Sequence, residues 1–303
     1  MILLSLGDIY AINSTKYYTK KFTSSKKMKY FRDVLLLVAY LANFATAGNP
    51  AHPHLHAEVR IVGYHGPTNK HILKLFRGAE ILEMIDCNVT TSPALLFSEL
   101  PKLRILHLEN NTYQDVDYET VMHGAHKLEE FYFININQKR IYTGTLGVLP
   151  RLRICVIRGF KNPVKSLEAN VLNETVLEEL EFSSSGLEEI HDSAFNGLDK
   201  LKILNLSNNK LKGLSKTALT PLKSLKILNL EGNEIETFSA DGLPDLPNLE
   251  EINLSNNPLS KLNLDDIGKV APKLKTIKET SIADAEVKKL RKKTKLAIID
   301  KNE

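Results

Sequence analysis

The sequence predicts an α/β-type solenoid of about eight to nine repeats of 24–25 residues, and three observations carry that prediction. The stretch 201–209, Leu-Lys-Ile-Leu-Asn-Leu-Ser-Asn-Asn, returns as 225–233 and 249–257, with apolar residues at positions one, four and six and Asn at nine. A fixed period of that size marks units that bury an apolar face only by stacking on their neighbours. A second apolar column runs in step six residues before each repeat: Phe97, Met122, Leu146, Val171, Phe195, Leu219 and Leu243. Finally, 43% hydrophobic and 25% charged residues is the balance of a folded soluble chain rather than a disordered one.

The first repeat positions are Ala79, Leu103, Leu128, Leu152, Leu177, Leu201, Leu225 and Leu249, spaced by 24 or 25 residues. A degraded ninth turn is expected at Leu274 and Ile277, and an irregular first strand at Val59 and Ile61. Alternation at positions four and six gives a short strand with one buried face, and such strands stack into a parallel sheet at ~4.8 Å per turn.

Before the repeats, Met28-Lys-Tyr-Phe-Arg32, the apolar run Val34 to Ala42 and Ala45-Thr46-Ala47 read as a secretory signal peptide at 28–47. The apolar run falls short of the ~20 residues that span a bilayer. The preferred reading starts translation at Met28, with 1–27 an upstream extension or mis-assigned start; an unusually long leader is the alternative. Residues 48–78 form an N-terminal arm and cap, 79–277 the repeats, and 278–303 a basic capping helix and tail. Ser281 serves as that helix's N-cap. Its polar side carries Lys288, Lys289, Arg291, Lys292, Lys293 and Lys295, either a solvated face or a docking site for a sulfated glycan or anionic lipid.

Residues 1–47 carry +5 of the chain's formal +4, which leaves −1 on 48–303 and no field for capturing nucleic acid. Five sequons, at Asn88, Asn110, Asn173, Asn205 and Asn253, agree with export. At Asn205 and Asn253 the Asn equally fills an ordinary strand position. Cys87 and Cys155 fall in repeats one and four, roughly 14 Å apart by strand spacing, too far for a disulfide; two free buried thiols are expected.

The residue pattern closely resembles the leucine-rich repeats of secreted animal proteins, of the Toll-ectodomain and insect-immune type, but without their cysteine-rich caps. The resemblance covers 79–277 and implies a horseshoe with a concave parallel sheet. It also gives the position-nine Asn a task, satisfying backbone groups in the turn that leaves each strand. Asn111, Asn209, Asn233 and Asn257 hold that position, Cys87 is an accepted substitute, and Ile136, Phe160 and Ser185 interrupt the series. Either those turns differ locally, or the register slips by one there and Asn135 or Asn137 takes the role.

No phosphate loop, nucleophile elbow or paired-carboxylate spacing stands outside the repeat grid, so no enzyme and no cofactor is expected. His52, His54 and His56 alternate in a metal-like run just after the cleavage site, but no metal site is assigned to them. Family resemblance places ligands on the concave strand surface. There His107, Tyr132, Ile134, Val156 and Arg158 make an apolar and aromatic spot with a cation beside it, the composition of an interface centre. Tyr132→Ala and Arg158→Ala are expected to weaken binding with little change in stability. The expected function is a secreted recognition protein that presents this surface to a protein ligand or receptor, or to a glycan, in innate immunity or cell signalling. The alternative is a matrix component that self-associates or binds sulfated glycan.

Overall fold

The computed structural model describes residues 58–279, apart from 69, 93, 116–120, 137–145, 147–148, 161–162 and 173–174, together with four short strands nearer the termini. The signal peptide, the His52 to His56 run, Asn137 and the basic helix at 281–294 lie outside the described residues. The chain divides into two units, Met1–Asn137 and Gln138–Glu303.

In the first unit the strands Glu58–Val62, Ile81–Ile85, Ile105–Glu109 and Glu130–Ile134 pair in parallel without a slip: Val59 lies beside Leu82, Leu82 beside Leu106, and Leu106 beside Phe131. The irregular strand at Val59 and Ile61 therefore opens the stack. A second parallel ladder, His65–Gly66, Asn88–Thr91 and Thr112–Asp115, forms where each coil leaves its turn. The strands Ile2–Leu4, Ile9–Asn13 and Lys16–Thr19 make a separate antiparallel sheet, which the repeat pattern did not announce.

In the second unit Ile154–Arg158, Glu179–Ser183, Ile203–Asn205, Ile227–Asn229, Glu251–Asn253 and Thr276–Lys278 continue the same parallel pairing, strand by strand. The ninth turn is real: Ile277 pairs with Ile252 and is fully buried. A further strand, Ala297–Ile299, pairs with Thr276–Lys278. It follows after a shorter step, Ile298 standing 21 residues after Ile277, so the 24-residue grid passes over it. In each unit the coils make a parallel-strand solenoid with little helix, about eight regular turns counted over both, as the repeat spacing predicts.

The predicted columns are all in the core. Every residue at positions one, four and six of the eight regular repeats is buried, and so is every member of the second column from Phe97 to Leu243. Emptying one such site, as Leu228→Ala would, costs about 2–5 kcal/mol.

What turns each coil is visible at position eight. Asp86, Asn110, Asn135, Gly159, Ser184, Asn208, Gly232 and Asn256 all have φ between 49° and 70°, as does Gly63 before them. That left-handed conformation is open to Gly and tolerated by Asn and Asp. The N–H of Asn110 donates to Ile134 O, that of Ser184 to Ser207 O and that of Asn208 to Glu231 O, each reaching the position-seven carbonyl of the next coil. At Gly232 a Cβ would stand 2.5 Å from Asn208 Oδ1, so a side chain there meets both backbone strain and a clash.

This column settles the register of the irregular repeats. Asn135 is a position-eight residue, and its Nδ2 donates sideways to Asn110 Oδ1 at 3.1 Å. Ile136, Phe160 and Ser185 are buried at position nine, so the interrupted turns keep the same geometry with different fillings. Phe160 packs against Phe182 with ring centroids 6.1 Å apart. Where Asn is present it binds as the resemblance implies. Asn233 accepts from Leu211 N–H and donates to the carbonyls of Leu206 and Leu230, and Asn257 repeats this with Ile235, Leu230 and Leu254. Cys87 keeps the donor side of this arrangement, its Sγ directed at Ile85 O and Ile61 O at 3.3 and 3.8 Å.

Candidate recognition surface

Residues at positions three, five and seven point away from the core, because side chains alternate across a strand. In the first unit these columns hold His107, Tyr132 and Ile134. Tyr132 stands beside His107 in the parallel register with ring centroids 5.6 Å apart, and its hydroxyl donates to Glu130 Oε2 at 2.9 Å. All three are half-buried. His107 lies between two carboxylates, Nδ1 3.7 Å from Glu83 and Nε2 3.3 Å from Glu109, and Glu83 in turn faces Arg60 at 3.3 Å. The result is one row across four strands, Arg60, Glu83, His107 and Tyr132, in which an ion pair is followed by two aromatic rings.

Val156 and Arg158 belong to the second unit. Val156 is only 5% exposed, in register with Glu181, so its side chain offers little to a ligand. Arg158 is half exposed, but its charge is engaged: Nε and Nη2 donate to the two oxygens of Glu181 at 2.6 and 2.9 Å. Ser183 also donates to Glu181. Burial alone would raise the Glu181 carboxyl. The bonds from Arg158, Ser183 and Asn205, with the guanidinium charge, outweigh burial and hold it below its ordinary value.

Glu181 was not among the predicted site residues. Its pair with Arg158 runs diagonally, from position seven of one coil to position five of the next, and reading each column separately hides it. Arg158→Ala would also strip a buried carboxylate of its main partner, so on its own it is not a clean probe of binding. Further along the sheet the same diagonal recurs, with Asn253 donating to Glu231 at 3.1 Å.

The two strand-position sequons are occupied from within. Asn205 donates to Glu181, and Asn253 is buried with its amide nitrogen on Glu231. Asn110 is exposed at its turn, Asn88 is half-buried, and Asn173 lies outside the described residues. Both cysteines are buried free thiols, and burial pushes Cys155 up to about 12. Among the described residues no group of His, Cys, Asp and Glu is placed to hold a metal ion, and no helix is long and apolar enough to cross a membrane.

The repeat geometry agrees with comparison to known proteins. The "Leucine rich repeat" family profile matches residues 175–235 and 217–259. No curated protein matches this sequence. Among solved structures, a chain of the Drosophila Toll–Spatzle complex is similar over 74% of this chain and 30% of its own, at 20% identity and a TM-score of 0.64. A chain of the LRIM1/APL1C complex is similar over 76% and 40%, at 21% identity and 0.58. A chain of the octameric complex of Latrophilin 3, Unc5D and FLRT2 is similar over 80% and 83%, at 18% identity and 0.60. This chain thus spans well under half of the Toll and LRIM1/APL1C chains that it matches. At these identities the likeness is one of fold, and the fold is a leucine-rich-repeat solenoid.

Proposed function

We propose that this is a secreted, non-enzymatic recognition protein that binds a protein ligand or receptor through its strand face, in innate immunity or cell signalling. The observation that carries this reading is Tyr132, half-buried on an outward strand position, with its hydroxyl held by Glu130 and its ring beside His107. A tyrosine fixed at both ends loses little freedom on binding and suits an interface anchor. Three structures of similar fold are protein complexes by their own descriptions, the Toll–Spatzle complex being a hub in Drosophila development and innate immunity. The basic opening, apolar run and small-residue site at 28–47 support secretion.

The test is affinity capture from extracellular fluid with the secreted protein, followed by binding measurements on Tyr132→Ala and on the paired change Arg158→Ala with Glu181→Ala. The first is expected to weaken the captured partner by about tenfold or more with little loss of stability. A partner indifferent to Tyr132 would contradict the reading.

A further inference from the structure

The strand face concentrates acidic charge. Residues 48–303 carry a formal −1, while the outward strand positions of the first unit alone hold four carboxylates, Glu58, Glu83, Glu109 and Glu130, against the single cation Arg60, which faces Glu83. In the second unit the strand-face cations are committed to carboxylates of the same face: Arg158 to Glu181, and Lys278 to Glu251 at 2.6 Å. Glu179 and Glu231 remain in excess there. Each unit, taken by itself, turns a net acidic strand face outward.

In the first unit the acids do not stand alone. They are interleaved with half-buried Ile81, Ile85, Ile105 and Ile134 as well as Tyr132. Arg60 Nε, Glu83 Oε2 and His107 Nε2 are covered from solvent and, although at ion-pair distances, are not aligned to make hydrogen bonds. Hydrogen-bonding capacity in this row is therefore incompletely used.

Resting on the recognition reading above, we infer that the strand face of the first unit receives a net basic protein segment, one that presents arginine or lysine side chains between apolar ones. Cationic heads meet Glu58, Glu109 and Glu130, and one lies within reach of the Tyr132 ring, a cation–π partner. The neighbouring apolar side chains cover the isoleucines. Opposed charge of this kind steers encounter and fixes register more than it adds raw affinity. A sulfated glycan or nucleic acid would meet repulsion on the same face.

The experiment uses the full-length protein with isoleucine methyl groups labelled for NMR. The probe is a pentapeptide of alternating leucine and arginine, set beside counterparts with citrulline or glutamate in place of arginine. Saturable shifts at Ile85, Ile105 and Ile134 are expected with the arginine peptide. Binding should be about tenfold weaker with citrulline and should fall as salt rises. Combining Glu58→Gln, Glu109→Gln and Glu130→Gln should abolish the preference while leaving the peptide-free methyl spectrum of the buried isoleucines intact. Equal binding of the citrulline or glutamate peptide, no saturable shift with arginine, or an unchanged preference in the triple variant would overturn the inference. A natural partner that depends on Tyr132 but ignores salt and the three glutamates would overturn it while leaving the recognition reading standing.

Discussion

Asn209 reaches back one coil to Phe182. Its Nδ2 donates to the Phe182 carbonyl at 2.7 Å and to that of Leu206 in its own coil at 3.0 Å, while its Oδ1 accepts the N–H groups of Ser185 and Leu187, each at 3.1 Å. One amide thus satisfies backbone groups of two adjacent coils in a site closed to water. Asn209→Ala leaves those groups buried without partners and is expected to cost about 2–4 kcal/mol. Asn248 also bonds to backbone, at Lys223 O, but through a bond open to solvent from a half-buried side chain; its alanine variant should stay within ~0.5 kcal/mol. Urea unfolding midpoints separate the two, and equal midpoints would mean that the ladder does not hold the coils.

The thiols offer a test of burial. With Cys155 pushed up to about 12, almost none of it is thiolate at pH 8, and burial also raises Cys87. Neither should react with iodoacetamide in the folded protein, and both should in denaturant, as intact mass would show. The folded Cys155 pKa lies above its ordinary 9.0. Its contribution to stability is therefore complete below pH 9 and is lost as pH climbs toward 12.

Glu178 behaves in the opposite sense. Hydrogen bonds from Arg153 and Lys202, one from the coil on each side, hold its carboxyl down at about 2. The stability this lends is present above pH 4.5 and lost as pH falls toward 2. All three side chains are open to solvent, so Glu178→Gln should cost under ~1 kcal/mol at pH 7 in low salt and less in high salt. Titration of the carboxyl carbon by NMR would check the depressed pKa directly.

Glycan mapping of the protein secreted from animal cells should find Asn110 occupied and Asn205 and Asn253 bare. The amide nitrogens of the last two are bonded to Glu181 and Glu231, and Asn253 is buried. Glycan at Asn253 would mean that its coil opens before it packs.

Most of the fold could be read from the sequence because three positions in every coil are buried without exception, and burial at fixed spacing leaves an apolar signature. The turn column was harder to see. At position eight the requirement is a left-handed backbone, and Asp, Asn, Gly and Ser meet it with no common hydropathy. Ala297–Ile299 escaped because its step is shorter than the repeat. Of the candidate surface, the sequence located His107, Tyr132 and Ile134 on outward strand positions but presented Val156 as open and Arg158 as a free cation. The Arg158 difference comes from a contact between successive coils, where residues 23 apart meet on a diagonal.

The central claim is that the strand face, and not the outer side of the coils, meets the partner. A photo-crosslinking phenylalanine analogue placed at Tyr132, and in a second protein at Leu95, the one large apolar side chain left exposed among the described residues, tests it directly. Partner adducts are expected from position 132 and none from position 95; adducts from 95 with none from 132 would place the partner on the outer side of the coils.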